Sequence, residues 1–256
     1  MTAQAPDFYH GTVPLWSPGR VWQDSGGPVM IDVPPGWFTM GENPGDQFAS
    51  EIERPAHEVS IFPGLALSMA PITVGEYRHF RPGHLAEDDP ELPVIGISWV
   101  DAAEYCAALS LKTSRPYRLP GEAEWEFACR AGSVAAFTFG DELTPLMANY
   151  LYAENGARVG PGHRTPAGAY PPNVFGLHDV HGNVCEWVAD VWHPGYAGAP
   201  AEGSVWNGQS ELRVLRGGAW DQLPRMLRSS HRDCLPRHSR RDNVGFRIAV
   251  SLEVPE

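Results

Sequence analysis

The sequence predicts an α+β fold with few helices and small antiparallel sheets. Three observations carry this. Glycine (27) and proline (25) make up about a fifth of the 256 residues and are spread along the whole chain, so long uninterrupted elements are few. Two segments carry helical signals. Strand-like runs bounded by turn residues occur toward both ends. Strands and helices that do not alternate in regular β-α-β units point away from a doubly wound sheet.

Residues 1–27 have little pattern and are expected to be an N-terminal extension, with the domain proper at 28–256. VMIDVPPGWFTMG then predicts a strand and its turn, and HEVSIFPGLALSMAPITV alternates as a hairpin would. A helix is expected over Val100–Leu111, after the capping residue Ser98 and with Asp101 and Glu104 in its first turns. A second is expected over Gly121–Ala131, after Leu119-Pro120, with Glu122, Glu124 and Glu126 near its positive end. Pro120 suits the opening of that helix, because its missing N–H costs nothing there. From Gly132 to Leu177 the chain is mostly loop, and so much irregular chain needs ions or polar networks to hold it. RVLRGG and VGFRIAVSLEV are the last two expected strands.

The chain is long enough to bury a sizeable core. Its net charge of -12 argues against a general nucleic-acid binder. The first hundred residues are acidic and the stretch Arg213 to Arg247 is dense in arginine, so a local basic patch is expected. Lys112 is the only lysine, and arginine suits planar bidentate pairing. No run of about 18 apolar residues is present, so no membrane span is expected. The N-terminus lacks the basic start and apolar core of a signal peptide, and with four cysteines this suggests a cytoplasmic protein with reduced thiols. Cys106 and Cys129 fall on the apolar sides of the two helices and are expected in the core.

FTMG (38–41), ERPAHEV (53–59), PVIGISWVDAAEYC (93–106), RLPGEAEWEFACRAG (118–132), GLHDVHGNVCEW (176–187), RVLRGGAW (213–220) and NVGFR (243–247) occur in that order. Together they resemble the formylglycine-generating enzyme, or sulfatase-modifying factor, family over roughly residues 28 to 251. The resemblance implies a loop-rich variant of the C-type lectin fold, often calcium-bound. It implies a structural calcium site from the side chains of Asp179 and Glu186 and the carbonyls of Gly182 and Val184. Hard oxygen ligands and a glycine-assisted turn agree with calcium chemistry. The alternative is a tight turn with both acids paired to arginines. A second calcium site would use Asn149 and the carbonyl of Tyr150, but the matching loop at 157–163 has no acid, leaving Asn155 or Glu154 as substitutes. Family members usually carry tryptophan where Cys185 stands, so Cys185 is expected to fill a packing slot; the adjacent Glu186 would raise its pKa, not lower it. Arg216 and Arg247 are expected to be scaffold ion-pair residues.

The best-known activity of the family, conversion of a sulfatase cysteine to formylglycine, uses a copper-binding cysteine pair just after the RGG strand. Here Cys234 stands alone in that region. The iron-using sulfoxide synthases of the family take their histidines from a preceding domain, and only His10 precedes the motif region here. The distinctive stretch is residues 220–242. His231, Asp233, Cys234 and His238 are candidate catalytic groups, since histidines titrate near neutrality and a thiol is a soft metal ligand. Trp220, Asp221, Gln222, His231, Arg232, Arg237 and Arg240 are candidate ligand contacts, suited to carboxylate groups. Three readings stay open: an oxidoreductase-like enzyme without the copper pair that modifies a peptide or small metabolite; a binding module for a protein, peptide or small molecule, like the variable proteins of diversity-generating retroelements; and a structural subunit. Calcium is the expected structural cofactor, and a redox metal stays open.

Overall fold

The computed structural model describes residues 19–252. Among these residues three α-helices and ten strands form, with two four-stranded sheets and a two-stranded ribbon. The first sheet has the order β1 (Val21–Gln23), β2 (Val29–Val33), β5 (Leu65–Ser68), β10 (Ala249–Ser251), all antiparallel. The ribbon pairs β3 (Gly36–Met40) with β4 (His57–Ile61). The second sheet has the order β8 (Asp233–Pro236), β7 (Leu212–Arg216), β6 (Cys185–Val191), β9 (Val244–Phe246). Only the β6–β9 pairing is parallel there.

Both expected helices form. The longer, α2 (Trp99–Thr113), starts at a capping box in which Ser98 and Asp101 satisfy each other's backbone N–H groups. The other, α3 (Glu122–Arg130), starts at Gly121, whose N–H is taken by Glu124, while Asp190 takes the N–H of Glu122. Pro120 therefore lies just before the cap and not at the first helical position; its carbonyl accepts the N–H of Ala189. Eight of the nine residues of α3 are buried, among them Glu122, Glu126 and Arg130, so this helix carries charge into the centre of the molecule. A short helix, α1 (Val74–Arg78), was not anticipated, although Thr73 and Glu76 form a capping box legible as T-x-x-E.

The structure departs from the sequence expectations in four places. Residues 21–23 pair with β2, so part of the expected extension belongs to the first sheet; residues 1–18 lie outside the described residues. β4 and β5 are not a hairpin. β4 alternates exposed and buried positions and suits a ribbon with one face on the core. β5 is buried at all four positions and needs neighbours on both edges, so it takes the middle of the first sheet. VGFRIAVSLEV breaks at Arg247 into β9 and β10, one in each sheet. β6 and β8 form where no strand was expected.

Between Ala131 and Cys185 there is no helix and no strand longer than a single bridge. One core cluster packs α2 with Tyr77, Tyr105, Trp187 and Phe246, and the other packs α3 with Ile31, Leu67, Trp125 and Val188. Cys106 and Cys129 lie in these cores, as their helical positions predicted. Cys185, 4 % exposed, fills its expected packing slot beside Trp187. Among the described residues no helix is long and apolar enough to cross a membrane.

Candidate ligand site

The arginines of the C-terminal third do not form a basic patch. Arg216, Arg228, Arg232 and Arg247 turn inward and pair with acids from distant parts of the chain. Arg232, 1 % exposed, donates to both oxygens of Glu122 at 2.6 and 2.8 Å and lies over the rings of Trp192 and Tyr196. Arg216 reaches Glu126 at 2.5 Å and Glu122 at 3.4 Å. Arg228 holds both oxygens of Glu53, at 2.8 and 2.7 Å, and Asp46 at 2.8 Å. Despite burial, these guanidiniums keep the Glu53 and Glu122 carboxyls below the usual carboxylate range. Such pairs compensate charges already taken from water, and removing one partner is costly.

The expected calcium loop is built around the same chemistry. Glu186 is fully buried, receives Arg247 on both oxygens at 2.6 and 2.8 Å, and accepts the indole N–H of Trp125 at 2.8 Å. Asp179 takes positive φ (+54°) and accepts the N–H of Gly168 at 2.7 Å; burial pushes its carboxyl up to about 6. Gly182, at φ +84°, is needed because a Cβ would strike the Asn149 carbonyl at 2.3 Å. Val184 is fully buried. With Glu186 spent on Arg247, the Asp179, Gly182, Val184 and Glu186 set does not fit a calcium ion: a guanidinium already holds the position of the positive charge. The ion-pair alternative for Glu186 is the one found, and Arg216 and Arg247 are the scaffold residues expected. At the second expected site, Asn149 donates to the His163 carbonyl, Thr165 and Asn183, while its Oδ1 has no partner. Tyr150 points its hydroxyl to the Leu143 carbonyl. Both expected substitutes are engaged elsewhere: Glu154 accepts from Arg225, and Asn155 accepts the N–H of Ala157. One amide oxygen without a carboxylate does not make a calcium set.

The candidate catalytic quartet is not assembled. Neighbours on β8, Asp233 and Cys234, point to opposite faces. Asp233 caps the N–H of Cys234, whose thiol is raised first by burial and then by Asp233. The imidazole of His231 is pushed down to about 4, first by burial and then by Arg228. His238 is exposed on the far side of Pro236. Among the described residues no group of three or more His, Cys, Asp or Glu side chains could hold a metal, and the four cysteines are free thiols on four separate elements. Of the candidate ligand contacts, Arg232 is internal, Arg240 pairs with Asp101 and Arg237 with Glu211. Trp220 donates its backbone N–H to Asn183, Asp221 accepts from Asn243, and Gln222 accepts from the Ala219 N–H and faces Cys185.

The structure instead opens a cavity of about 830 Å³ between the 43–48 loop, the 134–143 loop, residues 150–154 and the turn at 224–228. Within its walls Asp46 is paired with Arg228 and Glu154 with Arg225. Asp141 and Glu142 are exposed and have no arginine or lysine partner among the described residues, so the wall has an excess of negative charge. Phe48 and Val134 supply an apolar rim. Only the turn at 224–228 comes from the stretch singled out in the sequence. The three other walls lie far off in the chain; for 134–143 and 150–154 the sequence signal is the long irregular segment after Gly132 that needed a polar network, and the 43–48 loop gave none.

The fold is the variant of the C-type lectin fold expected of formylglycine-generating enzymes, with a half-open, loop-built cavity on it. Residues 22–252 match the sulfatase-modifying factor enzyme 1-like domain. The chain belongs to this family. It is 28 % identical over 292 aligned residues to the mouse inactive Cα-formylglycine-generating enzyme 2, covering 90 % of this chain and 88 % of that one. It is 34 % identical over 192 residues to a formylglycine-generating enzyme of Streptomyces coelicolor, covering 69 % of this chain and 59 % of the enzyme. Among solved structures it superposes on PvdO from Pseudomonas aeruginosa with a TM-score of 0.83 and 35 % identity, covering 93 % of this chain and 100 % of PvdO.

Proposed function

We propose that this protein is a ligand-recognition member of the family that admits a peptide or small molecule carrying a cationic group to the cavity between residues 43–48, 134–143, 150–154 and 224–228. The observation that carries the reading is the unbalanced pair Asp141 and Glu142 on the wall of a large cavity rimmed by Phe48 and Val134. A cation there meets two carboxylates without a cationic partner, while the Phe48 ring already carries Arg225 at 5.9 Å. Catalysis by a cysteine-held copper is disfavoured by the placement of the thiols: Cys234 pairs across the ladder with Val214, while Cys185 lies on β6, two strands away. Titration calorimetry with short peptides that differ only in a central Lys, Gln or Glu tests the proposal. Lysine peptides bind, and the double variant Asp141→Asn, Glu142→Gln weakens them about tenfold or more, or ~1.4 kcal/mol. Equal affinity for all three peptides contradicts it.

Kinship with the Streptomyces enzyme favours a second reading, an oxidoreductase-like modification of a bound peptide or metabolite. Mass spectrometry of peptides incubated with the protein, oxygen and added copper or iron decides it. A mass change that depends on protein and metal supports the enzyme, and unmodified peptides support recognition alone.

A further inference from the structure

We propose that Arg213 and Arg237, with Trp99 beneath them, form a binding site for a small oxyanion, a phosphate or carboxylate group. The site is separate from the cavity, none of whose walls it shares.

The β7–β8 register brings two arginines together. Arg213 faces Leu235 across the β7–β8 ladder, and the N–H of Arg237 bonds the Glu211 carbonyl one step further along. Side chains two apart on a strand share a face, so Arg213 and Arg237 rise on the same side as diagonal neighbours, within reach of one group. The guanidinium carbon of Arg213 lies over Trp99, 4.8 Å from the ring centre, and Trp99 is itself fixed by its indole N–H on the Val188 carbonyl. A stacked guanidinium presents its donors edge-on, in the fork that matches an oxyanion.

Partners are then counted. Arg216, Arg225, Arg228, Arg232, Arg237, Arg240 and Arg247 each have an acid. Half-buried Arg213 has none among the described residues. It donates only to the carbonyls of Ser210 and Leu212, at 2.8 and 3.1 Å, and its Nε finds no acceptor. Burial and the neighbouring charge of Arg237 both disfavour its protonated form. The acid of the facing helix, Asp101, is already held by Arg81 and Arg240. Glu211 is left, 66 % exposed and engaged with Arg237. Two guanidiniums and one loosely held carboxylate leave one positive charge, which an anion bridging the pair would compensate.

The test uses the full chain in chloride buffer, titrated calorimetrically with inorganic phosphate and separately with succinate. Saturable binding with one site is expected for at least one of them. Binding of phosphate alone marks a phosphate-bearing ligand, and comparable binding of succinate marks a carboxylate such as a peptide terminus. Arg213→Gln weakens binding at least tenfold. Glu211→Gln, which removes the competing carboxylate, tightens it, a gain that a merely structural role for Arg213 would not give. Arg115→Gln is the control: Arg115 also stacks on a tryptophan, Trp22, but is paired with Asp24, so its loss leaves binding unchanged. No saturation by ~10 mM of either anion, a weak-affinity limit, overturns the proposal, as does equal affinity of the parent and Arg213→Gln. If Arg213→Gln fails to fold, Glu211→Gln decides alone, and unchanged affinity there counts against the site.

Discussion

Replacing Glu122 with Gln should be among the most damaging single changes in this protein. Among the described residues Glu122 receives the only carboxylate contacts of Arg232, at 2.6 and 2.8 Å, and it also contacts Arg216 at 3.4 Å and the Tyr196 hydroxyl at 3.1 Å. The amide keeps the shape and removes the charge. Arg216 retains Glu126. Arg232 retains the carbonyls of Ile52 and His193 and the faces of two rings, with no acid left. A guanidinium 1 % exposed cannot regain water without opening the core. Breaking a buried pair in this way costs about 3–5 kcal/mol. For a domain of this length each kcal/mol lowers the melting temperature by ~2–4 °C, so the variant should melt ~6–20 °C below the parent. The melt belongs at pH 5.5. Asp190 is pushed up to about 7, first by burial and then by Glu122, so at pH 5.5 it is protonated and gains little from the loss of a neighbouring charge. Glu51→Gln, in the exposed pair with Arg54, serves as the comparison and should cost less than ~1 kcal/mol. A Glu122→Gln melt within ~3 °C of the parent, less than one buried pair requires, would refute the claim that Glu122 holds this network.

Chelation should leave the melting temperature unchanged, because Arg247 occupies the charge position beside Glu186; a calcium-dependent rise of several degrees, measured by scanning fluorimetry, would show the ion site intact after all. Thiol titration of the native protein should modify Cys234 alone and slowly. Burial pushes Cys106 and Cys129 up to about 12 and Cys185 higher, so these three thiols react only in denaturant, and fast reaction of a second thiol would contradict the placement of these residues. Stability should be nearly flat between about pH 4.5 and 6.5. Buried His181 and His231, both pushed down to about 4, contribute stability that is lost as pH falls from 6.5 toward 4. Asp179 and Asp190, raised to about 6 and about 7, subtract stability as pH rises from 3.8 toward those values. In Asp190→Asn the histidine slope is less opposed, and urea unfolding should show stability rising by ~2–3 kcal/mol over that window; a profile parallel to the parent's would count against it.

Local chemistry was legible in the sequence, and long-range pairing only in part. Ser98 and Asp101 announced α2, and the acids after Pro120 announced α3, because a cap is satisfied by residues a few positions away. Thr73 and Glu76 gave the same signal for α1, but its apolar pattern is too short to notice. β6 was hidden because CEWVADV is buried at six of its seven positions, so no alternation marks it, and because its acid suggested a ligand loop. The ordered motifs gave the fold, and with it the roles of Arg216, Arg247 and Cys185. The cavity could not be found in that way. Its walls are four loops whose only shared property is that they meet in space.

The charge distribution carried more structural information than its first reading took from it. An acidic first half and an arginine-dense C-terminal third suggest an acidic body with a basic patch for binding. The folded chain uses the asymmetry for a different purpose. Arg228 crosses to Glu53, Arg232 to Glu122, Arg216 to Glu126 and Arg240 to Asp101, so the basic segment is docked on the acidic one by pairs far apart in sequence. Arginine suits this because its fork satisfies a carboxylate and nearby carbonyls at once, as Arg216 does with Glu126 and the carbonyls of Ser229 and Ser230. The same pairs hold the loop-rich half in place: the buried Arg228 ties the turn at 224–228 to the 43–48 loop and so joins two walls of the cavity. The arginines that stabilise the fold are therefore those withdrawn from recognition, and a search for binding arginines comes down to the few left without an internal acid. Arg213, half-buried and held only by backbone carbonyls, is one of them.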